Sequence, residues 1–246
     1  LIGRSGNPTL SDNTFERQQS QAGDKVMTID GTVHRTMITL VLLLAGAFSS
    51  WKMYFDGENV FPFMIGGLIA GFILALIVSF VPRTAPFLVP LYAVAEGLFL
   101  GALSANYEYV YDGITLQAAL LTMGVFVALL LVYRLRIVKV TENFKLGVIA
   151  ATGGIALVYL LSLVLGFFGV SIPYLHESSP IGIGISVVIV IVAALNLVLD
   201  FDFIENGARS GAPKYMEWYG AFGLVVTLVW LYIEMLRLLS KIFSRD

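Results

Sequence analysis

Residues 195–218, LNLVLDFDFIENGARSGAPKYMEW, set three carboxylates, Asp200, Asp202 and Glu205, at the end of a long apolar run. A carboxylate at the edge of hydrocarbon is held protonated, paired with a cation or turned toward a wet cavity, and each option turns its charge state into a switch. Asn196 and Asp200 are four residues apart and share one face of a helix, while Asp202 points elsewhere. Asn206-Gly207 reads as a helix stop, and Ser210-Gly211-Ala212-Pro213 breaks any continuation, so the helix is expected to end near Glu205. Asp200 then lies about one and a half turns inside that end, within reach of a next helix that opens with Glu217 and Trp218.

Working outward, the chain resolves into apolar segments, each near the roughly 20 residues that cross a hydrocarbon core of about 30 Å. Seven are expected: 36–54, 60–81, 86–106, 114–133, 146–171, 180–205 and 218–240. Their short connections leave no room for a separate soluble domain and favour one bundle of mostly antiparallel neighbours. Residues 1–35 are polar and rich in Ser, Gln, Gly and Asn, which predicts a disordered cytoplasmic tail ahead of a transmembrane domain over 36–246. The stretch from Asp24 to Arg35 is a candidate interfacial lead-in to the first span.

Composition agrees. Hydrophobic residues make up 58% and charged residues 13% of the chain, with a mean hydropathy of +0.86, too little polar material to coat a soluble protein of 246 residues. The predicted class is therefore an all-α integral membrane protein, a seven-transmembrane-helix bundle placed multi-pass in the cell (inner) membrane. Lys and Arg are concentrated on one side: the N-terminal segment, Arg83, the fourth-to-fifth connection (Arg134, Arg136, Lys139, Lys145) and the sixth-to-seventh (Arg209, Lys214). The other side holds only Lys52, Arg237, Lys241 and Arg245. The positive-inside rule puts the N-terminus in the cytoplasm and, with seven full spans, the C-terminus outside. A re-entrant seventh segment would bring both ends inside.

No cysteine is present, which removes disulfides, thiolate catalysis and cysteine-held metal centres. The two histidines, His34 and His176, are not deep in a span, and HExxH, GxSxG and GxGD motifs are absent, so no enzyme activity and no cofactor are expected. Nothing dense enough in basic charge points to nucleic acid. The expected surroundings are a lipid bilayer, a permeant cation (calcium or a proton) and a membrane-protein partner.

Glu96 lies near the midplane of the third span, beside the Gly97-xxx-Gly101 pair that lets another helix approach closely. It either hydrogen-bonds a neighbouring helix or serves an ion path. Arg83 follows Pro82 at the inner end of the second span, on the same side as Asp200. It is a topology determinant or, paired with Asp200, a latch that protonation of the aspartate releases. In the seventh span Glu217 sits at the helix start, where the dipole favours a carboxylate, Thr227 lies mid-span, and Glu234 is three residues from Arg237, a local ion pair.

With its polar leader, seven spans, third-span EGLFLGALS (96–104), sixth-span LVLDFDFIE (197–205) and closing LYIEMLRLLSKI (231–242), the chain resembles the Bax-inhibitor (transmembrane Bax inhibitor motif) membrane proteins, in particular a prokaryotic branch. The resemblance implies a bundle with its last helix near the centre, a pH-sensitive calcium leak, and a pair of aspartates on the sixth and seventh helices for which an arginine after the second helix competes. Asp200 matches the sixth-helix aspartate and Arg83 the arginine. For the second aspartate the alignment offers Thr227 without gaps or Glu234 after a slide of two turns. The acid that some members carry in the second helix is absent between Gly66 and Val78, and Glu96 is the nearby substitute.

The candidate sensor and gate is thus Asp200 with Arg83 and Asp202, and the ion path or second acid is drawn from Glu96, Glu205, Glu217, Thr227 and Glu234. Two functions fit: a cation (calcium) leak gated by protonation of Asp200 against Arg83, or a non-conducting regulator that binds other membrane proteins such as a quality-control protease.

Overall fold

A computed structural model of the protein describes residues 25–170, 172 and 177–244. Seven helices run through it: α1 (Ile29–Phe55), α2 (Phe61–Phe80), α3 (Ala85–Val110), α4 (Ile114–Arg134), α5 (Glu142–Phe167), α6 (Pro180–Arg209) and α7 (Met216–Phe243). A 3-10 turn, Pro82–Thr84, joins α2 to α3. All seven helices are long and apolar enough to cross a membrane. Their outer faces carry exposed side chains such as Phe72, Leu116 and Phe167, as a lipid solvent allows.

The last helix is the axis. α7 packs against α1, α3, α4 and α6 and touches the 3-10 turn, and its apolar window is 67% buried. It is one continuous helix of 28 residues, about 42 Å at the usual rise. One end meets the chain leading into α1, and the other holds Lys241 on Gly182 and Ser186 at the start of α6. The seventh segment is thus one continuous helix long enough to cross, not a re-entrant hairpin.

Small residues weld α1 to α3. A Cβ on Gly97 would stand 2.2 Å from the Leu43 carbonyl oxygen, and one on Gly101 2.0 Å from that of Ala47, so only glycine permits this approach. Pairing at the two ends alternates as an antiparallel bundle requires. Arg35, Arg83, Arg136, Lys145, Arg209 and Lys214 gather at one end, hereafter the basic end, while Tyr54 meets Tyr109 and Tyr111 meets Phe243 at the other.

Against the expected spans, α3 runs on to Val110 and α5 covers Glu142–Phe167 rather than 146–171, and two further boundaries bear on the site. α1 begins at Ile29, within the stretch read as tail, because the Thr28 hydroxyl accepts from the Gly31 amide (3.0 Å) and Asp30 complements the first turn. Residues 1–24 of that tail and His176 lie outside the described residues. α6 runs on past Glu205 to Arg209. The Asn206 side chain donates to Asp202 within the helix (3.0 Å), Gly207 is buried, and the stop comes at Gly211 (φ +70°). There Gly211 and Ala212 donate back to the Ala208 and Gly207 carbonyls in a Schellman cap. Asp200 therefore lies about two and a half turns inside the helix end, one turn deeper than expected.

Candidate functional site

Asp200 and Asp202 separate as their spacing predicts. Asp200 is fully buried, whereas the Asp202 side chain retains 19% exposure and pairs with Lys145 at the start of α5 (3.0 Å). Asn196, on the Asp200 face, donates to Thr152 of α5 and to the Val192 carbonyl, both at 2.8 Å. Four residues beyond Asp200 on that same face, Ile204 packs where α6 meets Gly220 of α7. Asp200 thus occupies the face of α6 that turns inward, about one and a half helical turns from Glu205.

Glu205 forms the surface of that end. It accepts from Tyr133 of α4, from Arg136 Nη2 (2.6 Å) and from Arg209 Nη2 (2.5 Å). Both arginines are more than half exposed, so this cluster faces the polar boundary rather than the bundle interior. Arg83 lies in the 3-10 turn beside Tyr215, in the connection between α6 and α7. Burial pushes the Tyr215 phenol above its usual range, and the neighbouring Arg83 guanidinium pulls it back.

The other acids sit apart, each with its own partners. Glu96, 8% exposed and near the middle of α3, lies under α2, where a Cβ on Gly71 would come within 2.6 Å of its Oε2. Glu234, 1% exposed, accepts from Tyr159 of α5 (2.8 Å) and pairs with Arg237 (3.1 Å), the three-residue pair expected from sequence. Thr227 is buried and its hydroxyl bonds back to the Gly223 carbonyl (3.2 Å). Glu217, 1% exposed, accepts from Thr28 N (3.1 Å), Thr28 Oγ1 (2.9 Å) and Lys214 Nζ (2.6 Å), with Arg35 Nε at 4.0 Å.

The acids named from sequence therefore form no single cluster. They are distributed from the basic end (Glu205, Glu217) through the interior (Asp200, Glu96) toward the opposite end (Glu234). Among the described residues no three His, Asp or Glu side chains converge as a metal site. The sequence singles out none of the partners Tyr133, Thr152 and Tyr159, and marks Lys145 only as a topology charge. They sit 44–75 residues from the groups they bond, and no local pattern announces them.

A groove of about 650 Å³ also opens between α1 and α4, floored by α3 and α7. Its lining is apolar, with Leu44 and Phe48 on one wall and Ala119 on the other, apart from hydroxyls that include Ser104, Thr115 and Tyr232. Ser104 and Tyr232 bond one another at 2.7 Å.

No curated protein sequence matches the chain. The family model described as Bax inhibitor 1 like, in contrast, matches residues 7–244. A seven-helix bundle with its last helix at the centre, buried acids on α3, α6 and α7, and a match across nearly the whole chain lead to one conclusion: the protein is a multi-pass membrane protein belonging to the Bax inhibitor 1 like family.

Proposed function

We propose that the protein is a pH-sensitive cation leak, with calcium as the favoured cargo, gated by protonation of Asp200. The observation that carries this reading is the complete burial of Asp200 on the inward face of α6. A buried carboxylate makes helix packing depend on its protonation state, because only the charged form needs a compensating cation or a wet surrounding. Arg83, at the basic end, is the cation assigned to hold the charged form. Protonation as pH falls removes the charge that the arginine holds, so α6 and the 3-10 turn separate and flux rises. Calcium suits the reading because a hard dication prefers oxygen donors, and Glu96, Asp200 and Glu234 offer carboxylates within the bundle. The test is calcium flux into liposomes across about pH 5 to 8 for the parent, Asp200→Asn and Arg83→Ala. The leak reading expects parent flux to climb as pH falls and Arg83→Ala to conduct at the higher pH as well. Parent flux no greater than that of empty liposomes, from folded and inserted protein, sinks it.

The groove between α1 and α4 favours a second reading, a non-conducting regulator that holds another membrane protein against its lipid-facing side. Filling the groove with Ala119→Phe then releases the partner and leaves liposome flux unchanged.

A further inference from the structure

The chain leading into α1 does not hang free. Met27 N donates to the Ala212 carbonyl (2.7 Å) and Lys214 N to that of Lys25 (3.0 Å), an antiparallel bridge that sets Val26 opposite Pro213. Thr28, the cap of α1, gives both its amide and its hydroxyl to the buried Glu217 carboxylate. Lys214 and Arg35 flank that carboxylate, and the Arg35 guanidinium lies over the Trp218 ring at 4.9 Å. Gly31 faces Glu217 so closely that a Cβ there would stand 1.8 Å from Oε1.

Beneath this polar catch lies an apolar plug. Met27 is 1% exposed, and a Cβ on Gly220 of α7 would meet Ile204 of α6 (3.2 Å), Thr32 of α1 (3.3 Å) and Met27 (3.5 Å) at one point. Ile204 is one turn beyond Asp200 on the same face of α6, so the plug covers that face on its way to the basic end.

We propose that residues 25–32 are a clasp that closes the basic end of the bundle over the Asp200 face, with Met27 as its plug and the Glu217 carboxylate as its catch. The clasp joins the start of α1 to the α6–α7 turn, two parts of the chain nearly 190 residues apart. Its gating role rests on the leak reading above; its closure does not.

Two variants of the full chain test it. Gly31→Ala keeps every charge and pushes the carboxylate off Thr28. Val26→Cys with Pro213→Cys locks the clasp shut, since facing residues of an antiparallel bridge stand roughly 4.5–5.5 Å apart at Cα, within disulfide range. No native cysteine competes. The readouts are hydrogen exchange at the Met27 and Thr28 amides and calcium flux into liposomes at the pH of greatest parent flux. The clasp predicts exchange about tenfold faster in Gly31→Ala, higher flux in that variant, and loss of flux in the oxidised cysteine pair that a reductant restores. Equal flux from the parent and the fully oxidised pair overturns the gate while leaving the leak standing. If no form conducts, the leak reading fails, and exchange decides the closure: faster Thr28 exchange in Gly31→Ala upholds the catch, and unchanged exchange overturns it.

Discussion

α5 and α7 are similar in length and both apolar, yet they are held in opposite ways. The apolar window of α7 is 67% buried and that of α5 only 6%. α7 is gripped on several sides by packing, with Phe222 fully buried and edge-on to Tyr92 at 5.1 Å. α5 leans on α6 and is moored by polar side chains: Lys145 to Asp202, Thr152 to Asn196, and Tyr159 to Glu234. In lipid, apolar contact alone gives helices little reason to associate, so close packing and interhelical hydrogen bonds must do it. α7 relies mainly on the first and α5 on the second. The moorings of α5 also end on carboxylates or beside one, so the charge state of the α6 and α7 acids bears on how firmly α5 is held.

The contrast breaks first at its strongest point. Phe222→Ala, which empties a packed site on α7, should cost about 3–5 kcal/mol in reversible unfolding in mixed micelles, whereas Leu160→Ala on the exposed face of α5 should stay within about 0.5 kcal/mol. Equal losses would mean that α5 is packed by something other than its moorings. Next comes the α1–α3 weld, where Gly97→Ala must drive α3 off the Leu43 carbonyl at a cost of about 1–3 kcal/mol. A neutral result by thermal denaturation would show that the weld gives way freely. The moorings are expected to be weaker. Tyr159→Phe should lose about 0.6–2 kcal/mol, and a double-mutant cycle with Glu234→Gln should return most of that as coupling. One effect has the opposite sign: Gly154 of α5 has no neighbour within 4 Å of an added Cβ, so Gly154→Ala should gain up to about 1 kcal/mol from helix propensity.

Hydropathy made the seven spans legible, because each must be apolar along its whole length whatever it packs against. The period of the helix likewise separated buried Asp200 from Asp202, and the small residues around Glu96 announced a close helix contact. What escaped were facts that belong to two distant segments at once. Glu217 read as a dipole-favoured acid at a helix start, and only the folded chain brings Thr28 to it across 189 residues. The polar composition of residues 25–35 concealed an ordered helix start, although Thr28-Ile29-Asp30-Gly31 carries a capping residue and a first-turn acid that mark one. The end of α6 was misplaced for a related reason. Asn206 and Gly207 are stop residues in isolation, but a bond to Asp202 and a buried position keep them helical.

The central claim, that a buried charge on α6 sets the state of the bundle, is tested most directly by two neighbouring substitutions. Asp200→Asn and Asp202→Asn remove the same charge two residues apart on one helix, one from the interior and one from the Lys145 mooring. Calcium flux into liposomes should be measured for both across about pH 5 to 8. A pH profile flattened in Asp200→Asn and kept in Asp202→Asn is the predicted result. A profile that survives in Asp200→Asn and is lost in Asp202→Asn would contradict the account and move the sensor to the mooring of α5.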